Sequence, residues 1–243
     1  MLGKNIKPSK FFVLKEVEEM IIKNPNLSIL DLGSGKSLNF ENIIKKYPSI
    51  SYTGLEPFWT DFSFAKDKFA MCKNTQFIND LAYKDNSSLM PEYDLVISLS
   101  VLEHVKQLEK FLKFSSQKTI SKGRCIHLYD LSHSLHPSSL KEKFQVWLCN
   151  HRFFKKFIPE HKFASYIDSN SVIQILKSSN LNLEKITQHN IPDHIKLLKS
   201  LEEVSEETIS NLAEKEVGWA DLIHSKKKRE ELFPAVCVWF TKN

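Results

Sequence analysis

The 243-residue chain predicts a doubly wound α/β domain, and three observations carry that prediction. Short apolar runs recur at intervals of about 20 to 30 residues with helix-like segments between them. The first run, in SILDLGSGKS at 28–37, passes directly into a turn that holds two of the chain's six glycines. Acidic residues then stand at the ends of the next runs, the place where an open parallel sheet binds its ligands.

The composition agrees with a packed domain. Hydrophobic residues make up 42% and charged residues 26%, enough to bury one core that carries insertions. No apolar run approaches the length of a bilayer span, and MLGKNIKPSK lacks the apolar centre of a signal peptide, so a cytoplasmic protein is expected. Cys72, Cys125, Cys149 and Cys237 are scattered without CxxC pairs and read as buried reduced thiols.

Taken in order, SKFFVLKEVEEMIIKN has apolar residues at helical spacing and gives a helix within residues 1–26. LSILDL, SYTGLE, TQFIND, YDLVISLS and GRCIHLYDL are the first five strands. NFENIIKKY, FSFAKDKFAM and VLEHVKQLEKFLKFSSQKTI are the helices between them. Strands alternating with helix-length connections must pair in parallel, covered on both faces. After Leu131 the rhythm breaks. Residues 131–168 form a lid-like insertion, SNSVIQILKSSN is a helix, LNLEKITQ a strand, 191–233 a charged helical insertion, and PAVCVWFTK the closing strand. KKKREE at 226–231 reads as a solvated helix end. The whole chain, 1–243, is read as one domain.

Gly33 and Gly35 let the backbone turn tightly and approach a ligand without Cβ in the way. A dinucleotide fingerprint requires a third glycine where Leu38 stands, which weakens a nicotinamide reading. Glu56 lies at the tip of the second strand, 21 residues after Gly35, where a carboxylate can accept from both hydroxyls of a ribose. Asp80 and Leu81 end the third strand, placed for an amino group and a purine edge, although Asn79 can take that recognition role and leave Asp80 as a cap. Ser98 and Ser100 form a polar threshold at the end of the fourth, followed by His104 in the first turn of the next helix.

This ordered set resembles the class I S-adenosylmethionine-dependent methyltransferases, small-molecule type. Their first motif, an apolar run, an acid and G-x-G-x-G, stands here as Asp31, Gly33 and Gly35 with Ser37 in place of the last glycine. The resemblance implies a seven-stranded, mostly parallel sheet whose last strand is antiparallel and inserted between the fifth and sixth. It implies S-adenosylmethionine as cofactor, held by Asp31, Gly33, Ser34, Gly35, Glu56, Asp80, Leu81 and Ser98. His104 matches the histidine of the family's LEH signature and borders the methyl-transfer pocket; a helix N-terminus is expected to lower its pKa and keep it neutral.

Methyl transfer from a sulfonium is an in-line displacement that mainly needs positioning. A hydroxyl acceptor also needs a base within hydrogen-bond reach. HLYDLSHSLH supplies Asp130 at the end of the fifth strand, with His133 and His136 on the loop after it. His133 is the expected base because histidine titrates near neutrality. The three could also converge on a divalent metal, an option the pattern does not select, and no metal is assigned. His127, inside the strand, reads as core.

Between Pro137 and Phe163 the chain has six basic residues (Lys141, Lys143, Arg152, Lys155, Lys156, Lys162) against Glu142 and Glu160, with Phe144, Trp147, Phe153, Phe154 and Phe157 among them. As a lid, this stretch favours an anionic acceptor such as a sugar, a glycan or a cofactor-biosynthesis intermediate, with its rings stacked on the acceptor or buried against the core. No transmembrane segment is expected, and peripheral contact of the protein with a membrane stays open. Oxygen is favoured over nitrogen or carbon as acceptor atom. Two alternatives remain open: an RNA methyltransferase, for which the N/D-P-P-Y/F motif is missing after the fourth strand, and a non-catalytic cofactor-binding module.

Overall fold

In the computed structural model, residues 7–83, 90–137, 139–151, 153–154, 157–158, 162–201 and 203–243 are described. Seven strands form one sheet in the order β3-β2-β1-β4-β5-β7-β6. They are β1 (Ser28–Leu32), β2 (Ser51–Leu55), β3 (Thr75–Ile78), β4 (Tyr93–Leu99), β5 (Thr119–Asp130), β6 (Leu181–His189) and β7 (Ala235–Lys242). The first five run parallel, and β7 lies antiparallel between β5 and β6. This is the predicted fold class, and the order reverses between β1 and β4, which opens a crevice at their carboxyl ends.

The central strands are apolar along their length because both faces are covered. Ile29, Leu30, Leu32, Val96 and Ile97 are inaccessible to solvent. On one face, α1 (Pro8–Lys23) begins with proline in its first turn and buries Val13, Val17 and Ile21, one side of the helix at a spacing of four. That face continues through Phe40, Ile44 and Trp239. On the other face, α4 (Leu108–Gln117) and α7 (Ser169–Ser178) cover Leu30, Val96 and Phe240. Asp168 caps α7 by accepting from the N–H groups of Asn170 and Ser171. Also present are α2 (Glu41–Lys46), α3 (Trp59–Lys68), α5 (Ser132–Leu135), α6 (Leu140–Asn150), α8 (Pro192–Ser200), α9 (Glu206–Asp221) and α10 (Lys226–Leu232). Among the described residues no helix is long and apolar enough to cross a membrane.

Several expectations are corrected. The helix expected over 101–120 is a single 3-10 turn at Leu102–His104, an extended Val105, and then α4. Glu103 causes the break: its Oε1 accepts from the Asp130 N–H at 3.2 Å and its carbonyl from the Ser165 N–H at 2.9 Å, ties that a continuous helix could not make. β5 starts four residues early, at Thr119, through an irregularity where Lys122 takes a left-handed φ of 63°. KKKREE is no solvated end. Lys226 reaches Asp168 at 2.8 Å, and Glu230 is buried, accepting from Tyr166 and Ser169. In the 191–233 insertion, α9 packs on α1 through Lys15 to Glu214 (2.9 Å), and its buried Glu216 accepts from the N–H groups of Asn190 and Ile191. The cysteines are free, and all but Cys72 are buried.

His127 is a core residue with a buried network. Ser115 donates to the Leu112 carbonyl, so we assign Nε2–H as donor to Ser115 Oγ (3.0 Å) and Nδ1 as acceptor from Ser98 Oγ (2.7 Å). Burial pushes its pKa down to about 3. The unfolded chain therefore takes up a proton near pH 6.5 that the native state refuses, and stability falls with pH through that window. Urea titrations should show wild type losing about 2 kcal/mol more than His127→Gln between pH 6.5 and 5; parallel curves for the two proteins would contradict this.

Candidate active site

The loop after β1 is left-handed at three positions, Gly33 (φ 70°), Gly35 (φ 53°) and Ser37 (φ 55°). At Gly33 an added Cβ would meet both Val101 methyls at 2.8 Å, so bareness is required there. At Gly35 a Cβ would meet no protein atom within 4 Å, so the backbone angle, and not crowding, selects glycine. Ser37 performs the third turn without being glycine. Its strain, about 1–2 kcal/mol for an L-residue, is offset by the hydrogen bond that its Oγ donates to Tyr52 Oη at 3.1 Å. The same Tyr52 hydroxyl approaches Asp31 Oδ2 at 2.8 Å.

Glu56 stands at the tip of β2, almost fully buried. One carboxylate oxygen accepts from the Gly35 N–H and the other from the Phe58 N–H, each at 2.8 Å. Burial raises its pKa, and these two bonds hold it back. A carboxylate offers about four acceptor positions, so two stay open toward the cleft. Asn79 donates to the Glu56 and Pro57 carbonyls, which fixes the end of β3 against the same tip. Asn79 is thus occupied, and Asp80 and Leu81 line the cleft instead.

The cleft, about 260 Å³, is bounded by Gly33, Leu55, Glu56, Asp80 and Leu81 on the strand-tip side and by Ser100, Val101, His104, Val105 and Phe111 opposite. Of the expected cofactor residues, Gly33, Glu56, Asp80 and Leu81 line it; the others do not. Asp31 is buried behind the loop and braces it through Tyr52. Ser34 turns toward Gly54, its Oγ buried without a partner among the described residues. Gly35 presents its N–H to Glu56. Ser98 is inaccessible, held by His127 inside the sheet, and Ser100 takes its place at the threshold.

His104 lines the cleft from the 3-10 turn, not from a helix N-terminus. Its pKa is lowered by burial, partly offset by the hydrogen bond from Nδ1 to the Phe163 carbonyl at 2.8 Å. His133, in α5, has its ring centroid 6.1 Å from that of His104. Its Nδ1 lies 2.9 Å from Glu142 Oε1 on α6. The sequence reading counted Glu142 only as charge. The signal for its position was legible, because Ser139 caps α6 and S-x-x-E sets the glutamate in the first turn.

Asp130 is no free base. Burial pushes its carboxyl up, but Lys7 at 2.8 Å and the hydrogen bonds from Ser132 outweigh that and hold it below its usual range. His136 Nε2 bonds the Glu231 carbonyl at 2.7 Å. Asp130, His133 and His136 thus face different partners, and among the described residues no three such side chains group around a common point. The lid's rings neither line the cleft nor pack in the core: Phe144, Trp147, Phe153 and Phe157 are more than half exposed. Arg152, Lys155, Lys156 and Glu160 lie outside the described residues.

These features fit a nucleoside with a charged tail: a bare-backbone loop, a carboxylate with free acceptor positions, and at the next tip an acid, Asp80, whose Oδ1 accepts from the Leu81 N–H at 2.7 Å. Residues 10–186 match the family described as "Methyltransferase domain". Over 199 residues the chain is 24% identical to a ubiquinone biosynthesis O-methyltransferase of Pelagibacter ubique, covering 76% of this chain and 77% of that one. Its fold is that of a structure described as a sarcosine dimethylglycine methyltransferase from Galdieria sulphuraria, at a TM-score of 0.59 and 11% identity, over 97% of this chain and 85% of that one. It is also that of geranyl diphosphate C-methyltransferase from Streptomyces coelicolor, solved with S-adenosylhomocysteine, at 0.57 and 10%, over 94% and 77%.

Two substitutions test the geometry. Gly33→Val should abolish binding of S-adenosylhomocysteine measured by calorimetry, and Glu56→Ala should weaken it by about 1.5–3 kcal/mol. Unchanged affinity in both would place the ligand elsewhere.

Proposed function

The chain belongs to the methyltransferase-domain family and is an S-adenosylmethionine-dependent methyltransferase; on that premise we propose that it methylates a hydroxyl oxygen of an anionic small molecule. The observation that carries this reading is the base beside the cleft. His133 is held by Glu142 at 2.9 Å and sits next to the cleft-lining His104. An amine or a carboxylate acceptor would need no such group.

When bound, S-adenosylmethionine supplies an electrophilic methyl group whose bond to sulfur breaks with its electron pair moving to sulfur. Glu56 would accept from the ribose hydroxyls, and Asp80 would meet the adenine edge, with the Leu81 N–H exchanging its 2.7 Å bond to Asp80 Oδ1 for a ring nitrogen. We assign Nδ1–H of His133 as donor to Glu142, which leaves Nε2 as the acceptor of the hydroxyl proton. That proton leaves the acceptor as its oxygen bonds the methyl carbon, and the half-exposed imidazole can pass it to water. His104, kept neutral by burial, would orient the acceptor hydroxyl. Asp31 supports the loop and takes no part in proton transfer.

The likeness to a ubiquinone biosynthesis O-methyltransferase supports oxygen as the acceptor atom and a cofactor-biosynthesis intermediate as acceptor. The net charge of the 137–163 stretch, six basic residues against two acids, supports an acceptor bearing negative charge.

With a panel of anionic phenols and sugar acids and isotopically labelled S-adenosylmethionine, His133→Ala should lower kcat about 10²- to 10⁴-fold while leaving S-adenosylhomocysteine affinity intact. Glu142→Gln should lower kcat by about tenfold. Full turnover by His133→Ala, or methyl transfer to amines alone, would contradict the reading.

A further inference from the structure

Helix α6 turns its apolar side away from the protein. At about 100° per residue, Leu140, Phe144, Trp147 and His151 fall along one side of it, and Glu142, Gln145 and Cys149 along the opposite side. The second group is engaged. Glu142 holds His133, Gln145 Nε2 donates to the Lys162 carbonyl at 2.6 Å, and Cys149 is fully buried. The first group faces solvent, with Leu140 83%, Phe144 60% and Trp147 52% exposed. A helix on the surface of a soluble domain ordinarily does the reverse.

The exposed rings are organised. Phe144 and Trp147 stack with centroids 5.8 Å apart and planes 20° apart. Trp147 continues to Phe154 at 6.0 Å, and Phe153 meets Phe157 edge-on at 5.8 Å. The rings stacked there form one exposed platform, and none of them is among the described residues that line the cleft or build the core. Contiguous apolar surface of this kind marks a contact with another apolar phase.

Charge selects the phase. The only acid on α6, Glu142, is turned inward, whereas Lys141 and Lys143 are exposed beside the rings, as is Lys162. Across 137–163 the sequence carries six basic residues and two acids. Aromatic rings settle at the headgroup level of a bilayer, and lysines beside them are drawn to anionic lipids. We infer that the outer side of α6, with the rings of Phe153, Phe154 and Phe157, docks on a membrane surface that carries anionic phospholipids. The inner side of the same helix holds His133, so docking would bring the acceptor end of the cleft to the lipid surface. The inference stands on the exposed platform and its charge, and holds whichever acceptor is methylated.

Sedimentation of the full chain with sucrose-loaded vesicles tests it. The protein should bind vesicles of phosphatidylglycerol and phosphatidylcholine, bind phosphatidylcholine alone far more weakly, and release as salt rises through about 0.1 M. A Phe144→Ser/Trp147→Ser variant should bind the anionic vesicles about tenfold more weakly or worse, and Lys141→Glu/Lys143→Glu should do the same. Both variants should keep the wild-type affinity for S-adenosylhomocysteine, which shows that the fold is intact. Wild type that ignores anionic vesicles, or variants that bind them equally well, would overturn the inference. So would a self-associated wild type that the Phe144 and Trp147 substitutions make monomeric, since the platform would then be covered by a second copy of this chain.

Discussion

The Glu56 carboxylate ties three chain segments to one point, and the cleft takes its shape from that knot. Through Gly35 it holds the loop after β1, through Phe58 the entry to α3, and by its own position the end of β2. Both bonds use backbone N–H groups of partly buried turns, and a hydrogen bond to a charged group contributes about 1.5–3 kcal/mol. Burial alone would push this carboxyl toward its neutral form, and the two donors oppose it. The contacts that fix the loop are thus the same ones that favour the charged form of Glu56. The Asp31–Tyr52–Ser37 chain is the second brace, and it explains why the loop tolerates a serine where a glycine is expected.

Charge is also concentrated on the α1 side of the site. Burial raises Asp31 to about 7 and Glu103 to about 8, and lowers Lys10, which senses both acids. Lys7 neutralises Asp130 across the same region. The N-terminal helix thus acts as more than a cover for the sheet. It sets Lys10 near the buried acids behind the cleft, and Lys7 at its N-cap removes Asp130 from the set of free bases. That leaves the two histidines, supplied by different segments and joined to the insertion through Glu142 and the Phe163 carbonyl.

Much of this was legible in the sequence. Continuous apolar runs such as SILDL and YDLVISL gave the parallel strands because burial on both faces leaves no room for alternation. The acid at the β2 tip was readable from its spacing to the glycines. What local pattern could not contain was the partner across the fold. Glu103 breaks the expected helix through a bond to Asp130, 27 residues away. Ser98 points inward because His127 on β5 lies opposite it. The rings of α6 were read as facing an acceptor or the core, since helical spacing fixes which residues share a side and not which side meets solvent. Glu142 was readable as a helix-start residue, but its service to His133 depends on where α6 comes to rest.

On the proposed reading, the strand tips around Glu56 seat S-adenosylmethionine with its sulfur toward the two histidines. A crystal structure with S-adenosylhomocysteine is the decisive measurement. Both ribose hydroxyls should lie on the Glu56 carboxylate and the adenine edge at Asp80 and Leu81, with the sulfur pointing to the end of the cleft where His104 lies. Density for the ligand with Glu56 uncontacted, or with the sulfur directed away from His104, would contradict it.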